Sequence, residues 1–217
     1  MVKVKICGIK KHEDAELAVL SGADAVGLLV GQVHTSNDFI DKDIARAIVE
    51  SLPPFCSSVL VTHLTECDEI CELAEYIGVS TIQLHGGSSP AQAKEIKQRL
   101  PYIKTYKSIH VTGPESVDNA LAYRGVVDGI LLDTVNVTTG QVGGTGKTHD
   151  WSISSQIVRA LDIPVIMAGG LNPENVKDAV AQVQPHGVDV NSGTQGPDGF
   201  KDPEKIKSFI MRAKFNA

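Results

Sequence analysis

The stretch Val4-Lys5-Ile6-Cys7-Gly8-Ile9 begins the chain with a short apolar run that ends in a thiol and a glycine. A run of this kind, followed by an amphipathic segment, is typical of a β-strand that leads into a helix. The same unit repeats eight times along the chain, with Gly, Pro, Asn and Asp at the joints. Eight repeats favour a closed (β/α)8 TIM barrel over an open doubly wound sheet, which more often has about five or six parallel strands.

The predicted strands are almost continuously apolar, as expected for parallel strands covered by helices. Between them the sequence predicts helices of about three turns, and Pro90 and Pro173 are placed for the first turns of two of them. The strands lie near Val4–Cys7, Ala25–Val30, Ser58–Thr62, Thr81–Leu84, Ile103–Ser108, Gly129–Asp133, Pro164–Ala168 and Gly187–Asn191.

The composition fits one globular domain over residues 1–217, near the lower end of the size range of this barrel. With 26 acidic residues against 20 basic ones, the net charge of −6 gives no extended cationic surface, so binding to nucleic acid or an acidic membrane is not expected. The four cysteines form no CxxC pair, and no apolar run reaches the roughly 18 residues of a membrane span. Because a signal-peptide pattern is also missing, the sequence predicts a cytoplasmic protein with reduced thiols.

Two glycine-containing loops follow the last two predicted strands. Gly169 and Gly170 follow the seventh strand, and Ser192 and Gly193 follow the eighth. In many barrels these two loops bind a phosphate through main-chain N–H groups, and glycine lets the main chain approach the anion closely. Either loop alone could be an ordinary turn, but both together predict a phosphate site.

A third glycine-rich segment, Gly143–Thr148, follows the sixth predicted strand. It is not a nucleotide-binding P-loop, because Gln141 stands where the GxxxxGK[ST] pattern requires glycine. We interpret the segment, which includes Gly144, as a flap that closes over a ligand and excludes water. The alternative is a flexible surface loop without a function.

Cys7 and Asp133 end the first and sixth predicted strands, on the rim where this fold carries out its chemistry. A carboxyl group directly after a buried strand should be partly desolvated, which raises its pKa and suits a general acid. The thiol, close in sequence to Lys5 and Lys10, could be a reactive thiolate. The alternatives are that Asp133 caps a turn or pairs with Lys147, and that Cys7 is a small buried apolar residue.

A series of motifs then runs through the chain in a fixed order. It comprises KICGI at 5–9, QLHG at 83–86, LLD at 131–133, GGTGKT at 143–148 followed by Asp150-Trp151, AGGLNPENV at 168–176 and GVDVNSG at 187–193. The series resembles the phosphoribosylanthranilate isomerase family over essentially the whole chain. Motifs of this kind are stronger evidence for the family and the barrel than for the exact substrate.

The resemblance implies an isomerase of tryptophan biosynthesis that rearranges N-(5-phosphoribosyl)anthranilate, an aminoaldose, to an aminoketose without a metal or an organic cofactor. It implies that Asp133 protonates the ribose ring oxygen and that Cys7, as a thiolate, removes the proton from C2. The pKa values of the two groups should therefore shift in opposite directions.

The same resemblance assigns the remaining site residues. Gly170 and Gly193 would hold the 5′-phosphate, while His85 and Asp189 would line the pocket and orient the sugar hydroxyls. The expected partner is this phosphorylated sugar alone, and the chain could be a monomer or a homodimer.

One segment departs from the family pattern. After the second strand the family has a segment like Ser-Pro-Arg-Tyr, whose arginine suits the anthranilate carboxylate. Here the segment reads His34-Thr35-Ser36-Asn37-Asp38-Phe39-Ile40, which puts Asp38 at the arginine position. A carboxylate there should weaken binding of an acidic substrate by about a few kcal/mol. Either another cation, such as Lys10, Lys11 or a protonated His34, takes over, or the substrate is different.

Histidines also recur on the predicted rim. They fall at or just after the ends of the second to fifth strands and are His34, His63, His85 and His110. Converging histidines could ligate a metal, but no HExxH-type spacing supports this and rim histidines have other uses, so no metal ligand is predicted.

Three functional hypotheses remain. The first is the phosphoribosylanthranilate isomerase reaction, and the second is an isomerase on the same scaffold that acts on another phosphorylated aldose or amine adduct. The third is a non-catalytic protein that binds a phosphorylated metabolite. Retention of both Cys7 and Asp133 argues against the third hypothesis, and Asp38 is the residue that separates the first two.

Overall fold

A computed structural model describes residues 1–32, 37–136, 141–142 and 149–215 of the chain. Eight parallel strands close into a barrel in the order β1-β10-β9-β6-β5-β4-β3-β2, which confirms the predicted fold. Two further short strands, β7 and β8, pair antiparallel after β6 and were not predicted. The strands are β1 (Lys3–Ile6), β2 (Ala25–Leu29), β3 (Ser57–Thr62), β4 (Thr81–Leu84), β5 (Lys104–His110), β6 (Gly129–Asp133), β7 (Val135–Asn136), β8 (Gln141–Val142), β9 (Val165–Met167) and β10 (Gly187–Val190).

The helices alternate with the barrel strands along the described chain. They are α1 (His12–Leu20), α2 (Lys42–Ser51), α3 (Cys67–Ile77), α4 (Pro90–Arg99), α5 (Ser116–Leu121), α6 (Trp151–Ala160), α7 (Val176–Val183) and α8 (Pro203–Phe215). Pro90 begins α4 as predicted, next to a capping box formed by Ser89 and Gln92. The prediction for Pro173 is wrong, because α7 begins only at Val176, after a turn.

Alternation along each strand divides the apolar residues into two clusters. Val4 and Ile6 of β1 belong to the large cluster between strands and helices, whereas Cys7 packs with Val61 and Leu131 in a smaller cluster within the barrel. Because side chains two positions apart share a face of a strand, Lys5 points to the same side as Cys7. The stretch Val4–Ile9 therefore also places the side chains of Lys5 and Cys7 inside the barrel.

The strand order decides which loops are neighbours at the carboxyl end of the barrel. The ends of β1, β10, β9 and β6 follow one another around the rim, so the loops after β10 and β9 separate Cys7 from Asp133. The ends of β5, β4, β3 and β2 complete the ring on the other side. None of the helices in the described ranges has the length and apolar character that crossing a membrane requires.

Candidate active site

A buried ion pair lies in the middle of the barrel, one layer below the rim. The Lys5 Nζ is 3.0 Å from Asp189 Oδ2 and donates a second hydrogen bond of 3.0 Å to Gln83 Oε1. Burial alone would lower the pKa of Lys5, but the charges of Asp189, Cys7 and Tyr106 outweigh it and raise that pKa. Lys5 is therefore a fixed positive charge at the base of the candidate site.

Cys7 lies directly against this ion pair. A Cβ added to Gly27 on the neighbouring strand would come within 2.8 Å of Cys7 Sγ and 2.9 Å of Lys5 Cε, so both side chains pack over a position that only glycine fills. Burial raises the pKa of Cys7 to about 11, although Lys5 opposes the shift. The prediction of a thiol with a lowered pKa is therefore wrong for the free protein, because desolvation of the thiolate outweighs the nearby cation.

Asp133 ends β6 and is 7% exposed. One carboxylate oxygen accepts a 2.7 Å hydrogen bond from the Thr134 N–H, and the other lies 3.7 Å from His85 Nε2. Burial raises the pKa of Asp133 to about 6, with Asp189 adding to the shift while Thr134 and Lys5 oppose it. The predicted direction for the acid is confirmed, and the predicted alternative partner, Lys147, lies outside the described residues.

Between Cys7 and Asp133 along the rim lie the two glycine loops. Gly169 and Gly170 have φ angles of +80° and +70°, which favour glycine, and the Gly170 carbonyl accepts a 2.9 Å hydrogen bond from Asn175 Nδ2. At Gly193 an added Cβ would overlap the carbonyl oxygen of Leu171, so the two loops meet at a distance that excludes a side chain.

The main-chain donors of these loops remain available. Within the described residues, no hydrogen bond engages the N–H groups of Gly170, Ser192 and Gly193. Three such donors on two adjoining loops can receive the oxygens of one anion. Gly144, the other predicted contact, lies outside the described residues together with the rest of the predicted flap.

Histidines occupy the opposite side of the rim. The ring centroids of His63 and His85 are 4.7 Å apart, and those of His85 and His110 are 5.5 Å apart, both in edge-to-face contact. The Ser108 hydroxyl lies 2.9 Å from His85 Nδ1, and burial lowers the pKa of His85 well below its usual range. Burial also lowers the pKa of His110 to about 4, so both rings are neutral near pH 7.

The two predicted pocket residues differ in depth. His85 faces Asp133 at the rim, with its Nε2 3.7 Å from Asp133 Oδ2. Asp189 lies lower, on the face of β10 that points into the barrel, and one of its carboxylate oxygens is bonded to Lys5. Its other oxygen is buried without a hydrogen-bond partner among the described residues.

Asp38 connects the loop after β2 to the loop after β10. Its carboxylate accepts hydrogen bonds of 2.9 Å from Asn191 Nδ2 and 2.8 Å from Gln195 Nε2, and it lies 3.7 Å from the ammonium of Lys10. Two amide groups and a lysine therefore stabilise the negative charge of Asp38. His34, from the same segment, lies outside the described residues.

Sequence reasoning missed two lysines of this region as site residues. Period-two alternation from Cys7 would have indicated that Lys5 faces the barrel. Lys201 carries no local signal, since it reaches the site from the loop before α8 and donates to the main-chain and side-chain oxygens of Asn191, at 2.9 and 3.0 Å. Burial lowers the pKa of Lys201 to about 8.

Three features together define the class of TIM-barrel enzymes that act on small phosphorylated molecules. They are the closed barrel, the N–H groups after its last two strands that lack a hydrogen bond within the described residues, and the thiol and carboxyl groups on either side of these loops. The profile of the family described as N-(5'phosphoribosyl)anthranilate (PRA) isomerase matches residues 4–212. The chain belongs to the phosphoribosylanthranilate isomerase family.

Individual relatives agree with this assignment over the full length. The chain is 46% identical over 213 residues to N-(5'-phosphoribosyl)anthranilate isomerase 2 of Methanosarcina mazei, covering 98% of this chain and 94% of that protein. It matches the crystal structure of phosphoribosyl anthranilate isomerase from Thermotoga maritima with a TM-score of 0.88 and 40% identity, over 99% of both chains.

A further crystal structure of the family contains a ligand. That phosphoribosyl anthranilate isomerase, in complex with reduced 1-(o-carboxyphenylamino)-1-deoxyribulose 5-phosphate, matches with a TM-score of 0.85 and 38% identity, over 99% of both chains.

Proposed function

We propose that this chain catalyses the Amadori rearrangement of N-(5-phosphoribosyl)anthranilate to 1-(2-carboxyphenylamino)-1-deoxyribulose 5-phosphate, a step of tryptophan biosynthesis. One observation carries the proposal: Cys7 and Asp133 lie on either side of two loops whose N–H donors have no partner among the described residues. The charges of Lys5 and Asp189 act on the pKa values of both groups. An acid, a base and an anion site side by side are what this rearrangement of a phosphorylated sugar needs.

The first chemical step is assigned to Asp133. Its carboxyl group donates a proton to the ribose ring oxygen, the C1–O bond breaks, and the nitrogen lone pair forms the C1=N bond of a protonated Schiff base. The pKa of about 6 supports this role, because a carboxyl group with an ordinary pKa would hold far less of the acid form near neutral pH.

The second step is assigned to Cys7. Its thiolate removes the proton from C2, and the electron pair of that bond moves through C1 to the nitrogen, which gives an enolamine. Tautomerisation of the enolamine, with proton transfer to C1, gives the ketone at C2. Since burial keeps the thiol protonated in the free protein, we propose that the Lys5 ammonium stabilises the thiolate once substrate is bound.

Substrate binding is assigned to the rim. The 5′-phosphate would accept hydrogen bonds from the N–H groups of Gly170, Ser192 and Gly193, whereas the left-handed conformation of Gly169 shapes the loop. His85 and Asp189 would contact the sugar, since His85 faces Asp133 and one Asp189 oxygen lacks a partner among the described residues. Gly144 completes the predicted contacts.

Anthranilate remains the proposed amine despite the loss of the family arginine. The hydrogen bonds from Asn191 and Gln195 and the nearby Lys10 offset the charge of Asp38. We therefore propose that Asp38 stabilises the contact between the loops after β2 and β10, and that its charge is too well compensated to repel the substrate carboxylate.

Complementation of a tryptophan auxotroph lacking this isomerase tests the proposal, together with turnover of N-(5-phosphoribosyl)anthranilate by the purified protein. Cys7→Ala and Asp133→Asn should each reduce turnover about 10²-fold or more, because each removes an acid or a base. Cys56→Ala, in a half-buried thiol away from the rim, is the matched control and should keep the rate.

The outcomes separate the three hypotheses. Growth with loss of activity in both rim variants supports the proposal. A folded protein that permits no growth but isomerises another phosphorylated amine adduct would support the second hypothesis, and one that binds the substrate without turnover would support the third.

The remaining properties are proposed with the reaction. We propose that residues 1–217 form one functional domain that works in the cytoplasm, as a monomer or a homodimer, without nucleic-acid or membrane partners. Size-exclusion chromatography with light scattering distinguishes the two assemblies.

A further inference from the structure

Three potential metal ligands converge at the rim, and we name them the rim cluster: His85, His110 and Asp133. One ligand atom from each lies within 4.8 Å of the others. They come from the ends of three neighbouring strands, β4, β5 and β6, so the barrel itself holds their main chains at fixed spacing. Two imidazoles and one carboxylate form a three-ligand set that leaves a coordination position for water.

His110 supplies the first sign that the cluster fits a ligand. Its Nε2 is buried and has no hydrogen-bond partner among the described residues. A buried nitrogen without a partner is costly, and the great majority of such groups are satisfied by protein, water or an ion. An imidazole nitrogen in this position can offer its lone pair to a metal ion.

His85 supplies the second sign, through the contacts that orient it. The Ser108 hydroxyl lies 2.9 Å from Nδ1 and also accepts a 3.0 Å hydrogen bond from Gln83 Nε2, which fixes the serine. Gln83 Nε2 also lies 3.3 Å from His85 Nδ1, so two polar groups hold this side of the ring while Nε2 faces Asp133. Metal-binding histidines are commonly oriented in this way, by hydrogen bonding at the nitrogen that does not bind the metal.

The two histidines of the rim cluster are also accessible from a cleft. His85 and His110 line one cleft together with His63, which provides a path for an ion. The nearby Lys107 opposes a bound cation, but its ammonium donates hydrogen bonds to the carbonyl oxygens of Leu84 and Gly86, which offset part of its charge.

We propose that the rim cluster binds a divalent transition-metal ion with the preferences of Zn²⁺, and that the bound ion inhibits the isomerase by occupying Asp133. Ligand distances of about 2.0–2.2 Å require small rotations of the side chains towards a common centre. Binding itself does not depend on the proposed reaction, whereas the inhibition rests on the proposed role of Asp133.

Zinc binding can be measured by titrating the full chain with zinc chloride in competition with a chromophoric chelator. The wild type should bind one ion, and His110→Ala should bind it at least tenfold more weakly, since loss of even an outer-shell contact costs about 10–100-fold. His186→Ala removes an exposed histidine away from the rim and should leave the affinity unchanged. Equal affinity of His110→Ala and the wild type would overturn the site.

Two further measurements establish which side chains hold the ion. The cysteines could bind zinc, so Co²⁺ is used as a spectroscopic probe; a thiolate-to-cobalt charge-transfer band would overturn the assignment, and d–d bands alone would support it. Ser108→Ala keeps all three ligands and should weaken binding less than His110→Ala does. It also provides a second variant if circular dichroism shows that His110→Ala is unfolded.

Inhibition is measured separately as turnover against zinc concentration, with reversal by a chelator. The inhibition constant, corrected for substrate concentration, should equal the dissociation constant for zinc, and both should rise in His110→Ala. If zinc binds as proposed without slowing turnover, the inhibitory half of the inference is wrong and the role of Asp133 must be revised. If the protein turns over no substrate at all, the proposed function fails while the binding result stands.

Discussion

Lys5 and Asp189 form an ion pair of 3.0 Å inside the barrel, and each residue is 6% exposed. Removing one member of such a pair leaves a buried charge without compensation, so Lys5→Met should lower the free energy of unfolding by about 3–5 kcal/mol. Denaturant titration measures the change. Lys3→Met, which removes an exposed ion pair with Asp24, is the matched control and should cost about 1 kcal/mol or less.

The double variant Lys5→Met/Asp189→Leu completes this test. Because both charges are removed together, it should recover a large part of the stability lost in Lys5→Met. A double variant no more stable than the single one would show that packing or hydrogen bonds, rather than the unpaired charge, account for the loss.

Asp133→Asn should make the protein more stable near neutral pH although it reduces turnover about 10²-fold or more. The folded-state pKa of about 6 lies above the ordinary value of 3.8, so ionisation of Asp133 opposes folding. The protonated carboxyl group contributes its full share to the free energy of unfolding below about pH 3.8, and this contribution is lost as the pH rises through about 6. The free energy of unfolding of Asp133→Asn should therefore be higher than that of the wild type by roughly 3 kcal/mol at pH 7.5 and by about 1 kcal/mol at pH 4.5.

Chemical denaturation at the two pH values checks this prediction. Asp128→Asn is a control for which the free energy of unfolding should change in the opposite direction. Hydrogen bonds from Thr105 and Lys97 overcome the effect of burial and lower the pKa of Asp128. Its contribution is present above the unfolded pKa and lost as the pH falls, so this variant should be less stable than the wild type at pH 7.5. A difference for Asp133→Asn that does not depend on pH would contradict the assigned pKa.

The thiol of Cys7 should react slowly with iodoacetamide at pH 7 in the free protein. With a pKa of about 11, the thiolate fraction is about 10⁻⁴ at that pH and rises about tenfold per pH unit. Mass spectrometry that resolves each cysteine follows the rate from pH 7 to 10, with the chain unfolded in urea as the reference. If the rate of reaction of Cys7 reached a plateau below about pH 8, the thiolate would be activated and this prediction would be wrong.

Gly193→Ala should raise KM at least tenfold and change kcat less. The added methyl group would overlap the Leu171 carbonyl and separate the two loops that carry the N–H donors. Gly78→Ala is the control, because its φ of +78° imposes strain but no atom lies within 4 Å of the added Cβ. Steady-state kinetics of both variants decide the matter, and an unchanged KM for Gly193→Ala would argue against the proposed phosphate site.

Asp38→Ala should raise KM for N-(5-phosphoribosyl)anthranilate. Loss of the carboxylate frees Asn191, Gln195 and Lys10 and loosens the contact between the loops after β2 and β10. If Asp38 instead repelled the substrate carboxylate, the same substitution would lower KM. The sign of the change in KM therefore distinguishes a structural contact from an unfavourable charge.

Much of the fold was predictable because apolar runs and turn residues report local structure directly. The strands Thr81–Leu84 and Gly129–Asp133 have the predicted bounds, and the other barrel strands differ by one or two residues at one or both ends. Pro173 misled the prediction of α7 because the side-chain oxygen of Asn172 accepts hydrogen bonds from the N–H groups of Glu174 and Asn175. These bonds favour a turn over a helix, and only the folded loop reveals the competition.

The site was predictable in its positions but not in its electrostatics. Cys7 and Asp133 could be found from their places at strand ends, whereas the pKa of Cys7 depends on how far burial outweighs Lys5. The contacts of Asp38 with Asn191 and Gln195 join residues more than 150 positions apart, so no local pattern contains them. Lys201 was missed for the same reason.

The pairing of β1 with β10 has a consequence for biogenesis. It joins Lys5 to Asp189, 184 positions later, so every residue up to β10 must leave the ribosome before β1 and β10 can pair. Until then the nascent chain has two unsatisfied sheet edges and no finished catalytic pocket, and such long-range pairing is intrinsically slow. Activity should therefore appear only after β10 has left the ribosome.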